Sequence, residues 1–269
     1  MDFERALDVM LEYGVTGAEL RCLWDINIAD LDEAGLSRAK SALDERGMTV
    51  TCISSPLLKC NLPRFEAEIV GDTHGARTRS LDDQRQLFRK CVRLARFFGT
   101  NLIRVFSFWK SGELTPEIEA EIVVVLREFA ELAEEENITL ALENEYACFT
   151  GTGEDTARVL RAVGSPALKA IWDPGNAVFA GENAYPDGYE AIKEYIVHVH
   201  VKDVVERNGE LRFVCIGEGE IGYEEQLKAL KDDGFSGFIS LETHVDVETA
   251  SEEPSKKCLA TLNAMIAAL

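Results

Sequence analysis

Four side chains that commonly ligate metal ions stand at the downstream ends of apolar runs: Glu143 in "LALENEY", Asp173 in "AIWDPGN", His200 in "VHVHVKD" and Glu242 in "ISLETH". They are 30, 27 and 42 residues apart, each about one strand-plus-helix unit, the last lengthened by an insertion around 205–222. Taken singly, an acid at a strand end usually caps a helix or meets solvent, and a histidine on an apolar strand is usually a satisfied core residue. Four on successive strands in the same relative place point instead to convergence. Three carboxylates and one imidazole in a dry cavity cannot sit there uncompensated, and a divalent cation resolves the charge. Mostly oxygen ligands with one nitrogen suit Mn2+ or Mg2+, and Co2+ or Zn2+ would also bind.

The "VHVHVKD" stretch alternates with a period of two, so Val197, Val199 and Val201 share one face and His198, His200 and Lys202 the other. His200 is expected to face the metal, with His198 deeper as its supporting partner. Lys202 would reach a carboxylate or a substrate oxygen.

Such a site needs a rigid ring of strands. Apolar runs at 17–23, 49–56, 101–109, 139–146, 169–175, 196–204 and 237–245 read as strands. Amphipathic helices are predicted near 81–98, 116–135, 155–163, 186–194, 223–233 and 253–268, after an acidic helix at the amino terminus. Residues 211–216 form a further extended piece in the loop after 196–204. Strict alternation without an internal linker predicts parallel strands in a single domain over 1–269, either a (β/α)8 TIM barrel or an open doubly wound sheet. Acids and histidines at the carboxyl ends of four strands favour the barrel. Closure needs an eighth strand, expected before the helix that begins at about Asp2; either the given start lacks it or the gap is filled by other means.

"ALEN", "DPGN", "HVHVKD", "GEGEIGYEE" and "ISLETH", in that order, resemble the sugar phosphate isomerase/epimerase group of xylose isomerase-like TIM barrels, also called apurinic endonuclease family 2. The resemblance covers essentially the whole chain and is densest from 139 to 245. It implies one divalent metal at Glu143, Asp173, His200 and Glu242, and a first strand ahead of "DFERALDVMLEYG". It also implies a mechanism in which Glu143 and Glu242 lie on opposite faces of a planar enediolate, one taking a proton and the other returning it. Return to the opposite face gives an epimerase, and return to the neighbouring carbon gives an aldose–ketose isomerase. The chain departs from the family where a second histidine often follows the aspartate by three residues, since Asn176 stands there and carries no proton at neutral pH. Glu145 replaces another common histidine, and Arg207 is no secure match for the substrate arginine of ketose epimerases.

Small sugars or polyols are the expected partners, with Asn176, Lys202, Glu145, Arg21, Trp109 and His198 as candidate substrate residues. Ser54, Ser55, Lys59, Phe108, Tyr146 and His244 also lie at strand ends, and Arg104 is expected to point inward toward Glu19 or Glu145. Leu57, Leu58 and Phe65 are candidates for a lid or a homo-oligomer interface.

Several other functions are weighed down by the composition. A net charge of −20 repels nucleic acid and anionic membranes, and no apolar run approaches a membrane span. The amino terminus lacks signal-peptide features, so a cytoplasmic protein is expected. The seven cysteines contain no C-x-x-C pair and read as buried reduced thiols. "GEGEIG" (217–222) matches a dinucleotide loop literally, but Glu218 and Glu220 would oppose a pyrophosphate. A repair endonuclease with a trinuclear zinc site needs more histidines than the four at 74, 198, 200 and 244. A metal-dependent dehydratase of the keto-inositol or dehydroshikimate type, and a non-catalytic sugar-binding barrel, remain as rival readings.

Overall fold

The computed structural model describes residues 2–63, 71–73, 75–245 and 251–269; Phe65 and His74 lie outside them. Seven parallel strands form one sheet in the order β1 (Gly17–Leu20), β2 (Thr49–Leu57), β3 (Leu102–Val105), β4 (Thr139–Glu143), β5 (Leu168–Trp172), β6 (Ile196–Val201) and β9 (Phe238–Leu241). The helices α1 (Phe3–Glu12), α2 (Glu33–Glu45), α3 (Gln84–Phe98), α4 (Pro116–Glu136), α5 (Gly153–Val163), α6 (Pro174–Phe179), α7 (Tyr189–Ile192), α8 (Tyr223–Asp232) and α9 (Glu253–Ala267) alternate with them. This is a nearly closed (β/α)8-type TIM barrel. Among the described residues, β1 and β9 end the order and share no strand ladder.

Helix punctuation follows local chemistry. Thr115 and Thr152 accept hydrogen bonds from the Ile118 and Asp155 amides as N-caps, and Asn137 and Gly164 take the left-handed conformation that stops α4 and α5. The outer faces of the strands pack against the helices in one large apolar core that includes Leu87, Phe88, Phe129, Leu140, Leu142 and Leu160. Inside the ring, Cys52, Leu102, Ala141 and Ile171 form a small apolar floor. Two residues further along the same faces come Ser54, Arg104, Glu143 and Asp173, so the pleat alone converts an apolar floor into a polar layer.

The structure corrects several expected boundaries. The run at 101–109 stays regular only to Val105; Phe106 and Phe108 then donate to the carbonyls of Leu57 and Leu58, and Phe108 has φ +66°. The helix expected at 186–194 is present as three consecutive pieces, a wide π turn at Ala184–Gly188, α7, and a 3-10 turn at Lys193–Tyr195. The run at 196–204 is two elements, because the Lys202 amide turns to the Tyr223 hydroxyl at 3.1 Å. Beyond it, β7 (Asp203–Arg207) pairs antiparallel with β8 (Glu210–Val214), which accounts for the extended piece near 211–216. Leu57 and Leu58 are fully buried and supply neither a lid nor an interface. No helix among the described residues is long and apolar enough to cross a membrane.

Candidate metal centre

Each of the four expected ligands is presented by its element in a definite way. Asp173 follows β5 and is the N-cap of α6: its Oδ1 accepts from the Asn176 amide at 2.9 Å, with Pro174 in the first helical position. That cap commits one oxygen and leaves Oδ2 aimed into the barrel. Asn144 fixes the strand end from below, accepting from the Asp173 amide and donating to its carbonyl, both at 2.8 Å. A Cβ on Gly175 would stand 2.7 Å from Lys202 Cγ, so glycine here admits the lysine stem.

The four groups converge. His200 Nδ1 lies 3.3 Å from Glu143 Oε1, 3.5 Å from Glu242 Oε1 and 3.9 Å from Asp173 Oδ2. Lys202 Nζ sits 2.8 Å from Asp173 Oδ2 and 3.2 Å from Glu242 Oε2. The first contact is close but off the line of a hydrogen bond, so Asp173 Oδ2 is a buried acceptor without a donor, as is Asn176 Oδ1. Arg104 pairs with Glu143 at 3.0 Å, and not with the expected Glu19 or Glu145, while donating to the carbonyls of Ser54 and Ser55.

These distances set the electrostatics. Burial alone would raise the Glu143 carboxyl, but Arg104 and His200 hold it below the usual range. Glu242 is likewise held well below that range against burial, by Lys202, His200 and Arg21. Asp173 goes the other way: burial pushes it up to about 6 against the pull of Lys202, with Glu143 and Glu242 adding to the rise. Burial works against charging His200, yet the carboxylates of Glu19, Glu143 and Glu242 raise it well above its ordinary value. Both shifts are the mark of a cluster short of positive charge. Four carboxylates (Glu19, Glu143, Asp173, Glu242) face the buried cations Arg104 and Lys202, with Arg21 on the open side and a charged His200 making up the balance, a place that a divalent ion could take from the His200 proton. Ligand atoms of Glu143, Asp173 and His200 lie within 4.8 Å of one another, and the donor-less Asp173 Oδ2 is among the atoms aimed there. The residues therefore fit such an ion: Glu143, Asp173 and His200 could hold it, with Glu242 Oε1 beside them, 3.5 Å from His200 Nδ1.

Glu19 is a candidate that the sequence reading missed in this role. Its carboxylate on β1 meets His200 Nε2 at 3.0 Å and His198 Nε2 at 2.9 Å, and accepts from the Ser54 hydroxyl. Burial would raise it, but the two facing imidazoles hold it well below the usual range. Glu19, His198 and His200 also fall within ligand distance of one another. The facing atoms, His198 Nε2, His200 Nε2 and the Glu19 oxygens, are however engaged by one another, by Ser54 and by Ser240, 2.8 Å from His198 Nε2, while His198 Nδ1 stands buried without a partner. Glu19 accepts at His200 Nε2, so an ion that displaced the Nδ1 proton would meet the Nδ1 lone pair on the side of the three acids. Glu19→Gln is expected to weaken Mn2+ binding about 10- to 100-fold, measured by calorimetry; unchanged affinity would mean that the ring needs no such anchor.

The remaining candidates divide. Arg21 Nη1 reaches Glu242 Oε1 at 3.5 Å from the open side of the site, and His244 Nε2 meets Glu242 Oε2 at 3.1 Å. Asn176 Nδ2 donates to Glu143 Oε1 at 3.3 Å. Glu145 pairs with buried Lys59 at 3.3 Å, and that ammonium lies 5.1 Å from the ring centroid of buried Trp109, so these three form a neighbouring group. His198 sits behind His200 on Glu19 and Ser240. Tyr146 is exposed and stacks on Phe179. The "GEGEIG" loop closes on the chain itself: the Gly217 and Gly219 amides donate to Asp203 Oδ2 at 2.9 and 3.0 Å. A Cβ on Gly219 would overlap that carboxylate. The glycine amides hold an internal anion where a dinucleotide loop would hold phosphate.

The description xylose isomerase-like TIM barrel matches residues 7–265. The chain belongs to that family. Among its curated relatives, an uncharacterized protein of Methanocaldococcus jannaschii is 33% identical over 149 residues, 53% of this chain and 50% of that one. Inosose dehydratase of Clostridium perfringens is 24% identical over 144 residues, 47% of each chain. This xylose isomerase-like chain thus spans about half the length of the curated relatives it matches. Among solved structures, the IOLI protein with a bound zinc atom superposes with a TM-score of 0.76 at 18% identity, over 99% of this chain and 93% of that one. D-psicose 3-epimerase of Clostridium cellulolyticum H10, crystallised with D-tagatose, gives 0.71 at 16% identity, over 98% and 93%. At such identities the likeness shows the shared fold.

Proposed function

We propose that this barrel is a divalent-metal-dependent isomerase or epimerase of a small sugar or sugar phosphate, with Glu143 and Glu242 as its proton carriers. One observation carries the reading. The two carboxylates come from β4 and β9, with β5 and β6 between them, and yet flank the same His200 Nδ1 at 3.3 and 3.5 Å. A divalent ion held there, Mn2+ or Mg2+ by its mostly oxygen donors, would polarise a ketone carbonyl and acidify the adjoining C–H. One carboxylate takes the proton and the other returns one. Asn176 through its donor-less Oδ1, Lys202 through its ammonium and Arg21 from the open side are the groups that would orient the substrate hydroxyls.

The two glutamates keep different company. Glu143 is held by Arg104 and Asn176, with His200 Nδ1 at 3.3 Å, and its side chain is 2% exposed. Glu242 touches Lys202 and His244 and is 13% exposed. Glu242 is therefore the more solvent-accessible of the two carboxylates. A second reading is a dehydratase, because Lys202 beside Glu242 could hydrogen-bond a leaving hydroxyl on the face where Glu242 takes the proton, and Glu242 could return that proton to the departing oxygen; inosose dehydratase stands among the relatives.

A panel of ketoses, ketose phosphates and keto-polyols incubated with the Mn2+-loaded protein in D2O tests both. Deuterium at the carbon beside the carbonyl in a stereoisomer or aldose supports the first reading, and loss of water from the substrate supports the second. Metal and sugar binding without deuterium entry for any member would overturn both in favour of a non-catalytic binding barrel.

A further inference from the structure

Two cysteines outside the metal cluster meet where the loop after β8 packs on α9. Cys215 and Cys258 are 3% and 1% exposed, and their sulfurs stand 2.9 Å apart. That is nearer than two unbonded sulfurs rest comfortably, and a bond at about 2.05 Å asks for less than 1 Å of further approach. The register around them is built. Lys257, beside Cys258, pairs with Glu218, and the Cys215 thiol faces the Pro254 carbonyl at 3.7 Å. A Cβ on Gly217 would touch Met265 at 3.0 Å, so loop and helix are in close contact along this edge.

We propose that Cys215 and Cys258 are a redox pair that a peroxide closes to a disulfide, pinning the glycine loop to the carboxyl-terminal helix. One thiolate attacks the peroxide, the O–O bond breaks, and a sulfenic acid and one water result. The second thiol attacks the sulfenic sulfur; the S–S bond forms, the S–O bond breaks, and a second water leaves. Two thiols are oxidised and one peroxide is reduced to two waters. Burial, with Cys215 adding to it, pushes the Cys258 thiol up to about 12. Cys258 therefore rests as a thiol at neutral pH, and closure through its thiolate runs faster as the pH rises. The pinned loop supplies the Gly217 and Gly219 amides to Asp203, the residue after Lys202, so the cross-link stiffens one wall of the metal centre.

The test uses the full chain loaded with Mn2+, treated with hydrogen peroxide, quenched by alkylation and digested with trypsin without reductant. Peptide 213–228 joined to peptide 258–269 is expected. The melting temperature should rise by roughly 5–10 °C and fall back with dithiothreitol. Cys258→Ser and Cys215→Ser should each lose the link and the shift while melting near the reduced wild type. Recovery of both peptides as alkylated thiols or as sulfinic acids would overturn the proposal, as would a peroxide-induced shift that survives in Cys258→Ser. If a serine variant does not fold, the joined peptide in the wild type decides alone.

Discussion

Arg104→Met is expected to lower the melting temperature of the metal-free protein by roughly 10 °C, a loss of about 3–5 kcal/mol. The guanidinium is 1% exposed inside the barrel, pairs with Glu143 at 3.0 Å, and donates to the carbonyls of Ser54 and Ser55. Methionine fills much of the volume but leaves a buried carboxylate uncompensated and two acceptors unpaired. Excess Mn2+ should recover part of the loss, because a bound cation takes over the compensation of Glu143 and itself favours the folded state. Thermal melts with and without chelator check both parts. A fall of less than about 2 °C in the metal-free protein would mean that Glu143 discharges by taking a proton when its partner leaves.

Glu143→Gln is expected to do the reverse, sparing the fold and removing the chemistry. The amide oxygen can still accept from Arg104 at the Oε2 position, while the NH2 group takes the Oε1 position and gives up only the longer bond from Asn176. It cannot accept a proton from carbon, and loss of a positioned base costs about 10^2- to 10^4-fold in rate. Deuterium exchange into whichever ketone the wild type turns over reads this directly, alongside Mn2+ affinity by calorimetry. Exchange at the wild-type rate would remove Glu143 as a proton carrier and leave it as a metal ligand alone.

The parts of the site that were legible in the sequence are those written locally. An apolar run that ends in an acid or imidazole declares both the strand and the end of the barrel it points to, so Glu143, Asp173, His200 and Glu242 could be picked out together. The alternation in "VHVHVKD" likewise placed His198 behind His200. What escaped was set across the ring. Glu19 alternates with buried Ala18 and Leu20 on a short strand, a pattern equally suited to an exposed charge. Its partners lie 179 and 181 residues away. The signal that could have found it is an acid on the inward face of one barrel strand with two histidines on the inward face of another. Arg104 was rightly turned inward, but its choice of Glu143 depended on which strands are neighbours. The helix α6 was hidden because "DPGN" reads as a turn until the aspartate is seen to cap it. The hairpin of β7 and β8 was half seen, since nothing in "VHVHVKDVV" marks the point where Lys202 leaves the sheet.

Between β1 and β9 the ring is joined by side chains: Glu19 of β1 holds His198, which also meets Ser240 of β9, and Arg21 reaches Glu242. Two of those links, through Glu19 and Glu242, also bear on the histidine and the acids that would grip the ion. The barrel's weakest suture and its chemical heart are thus sewn with the same thread. Occupancy by a cation should quiet amide exchange along this suture more than anywhere on the far wall, and substitutions that retune the chemistry will register there as mechanical changes.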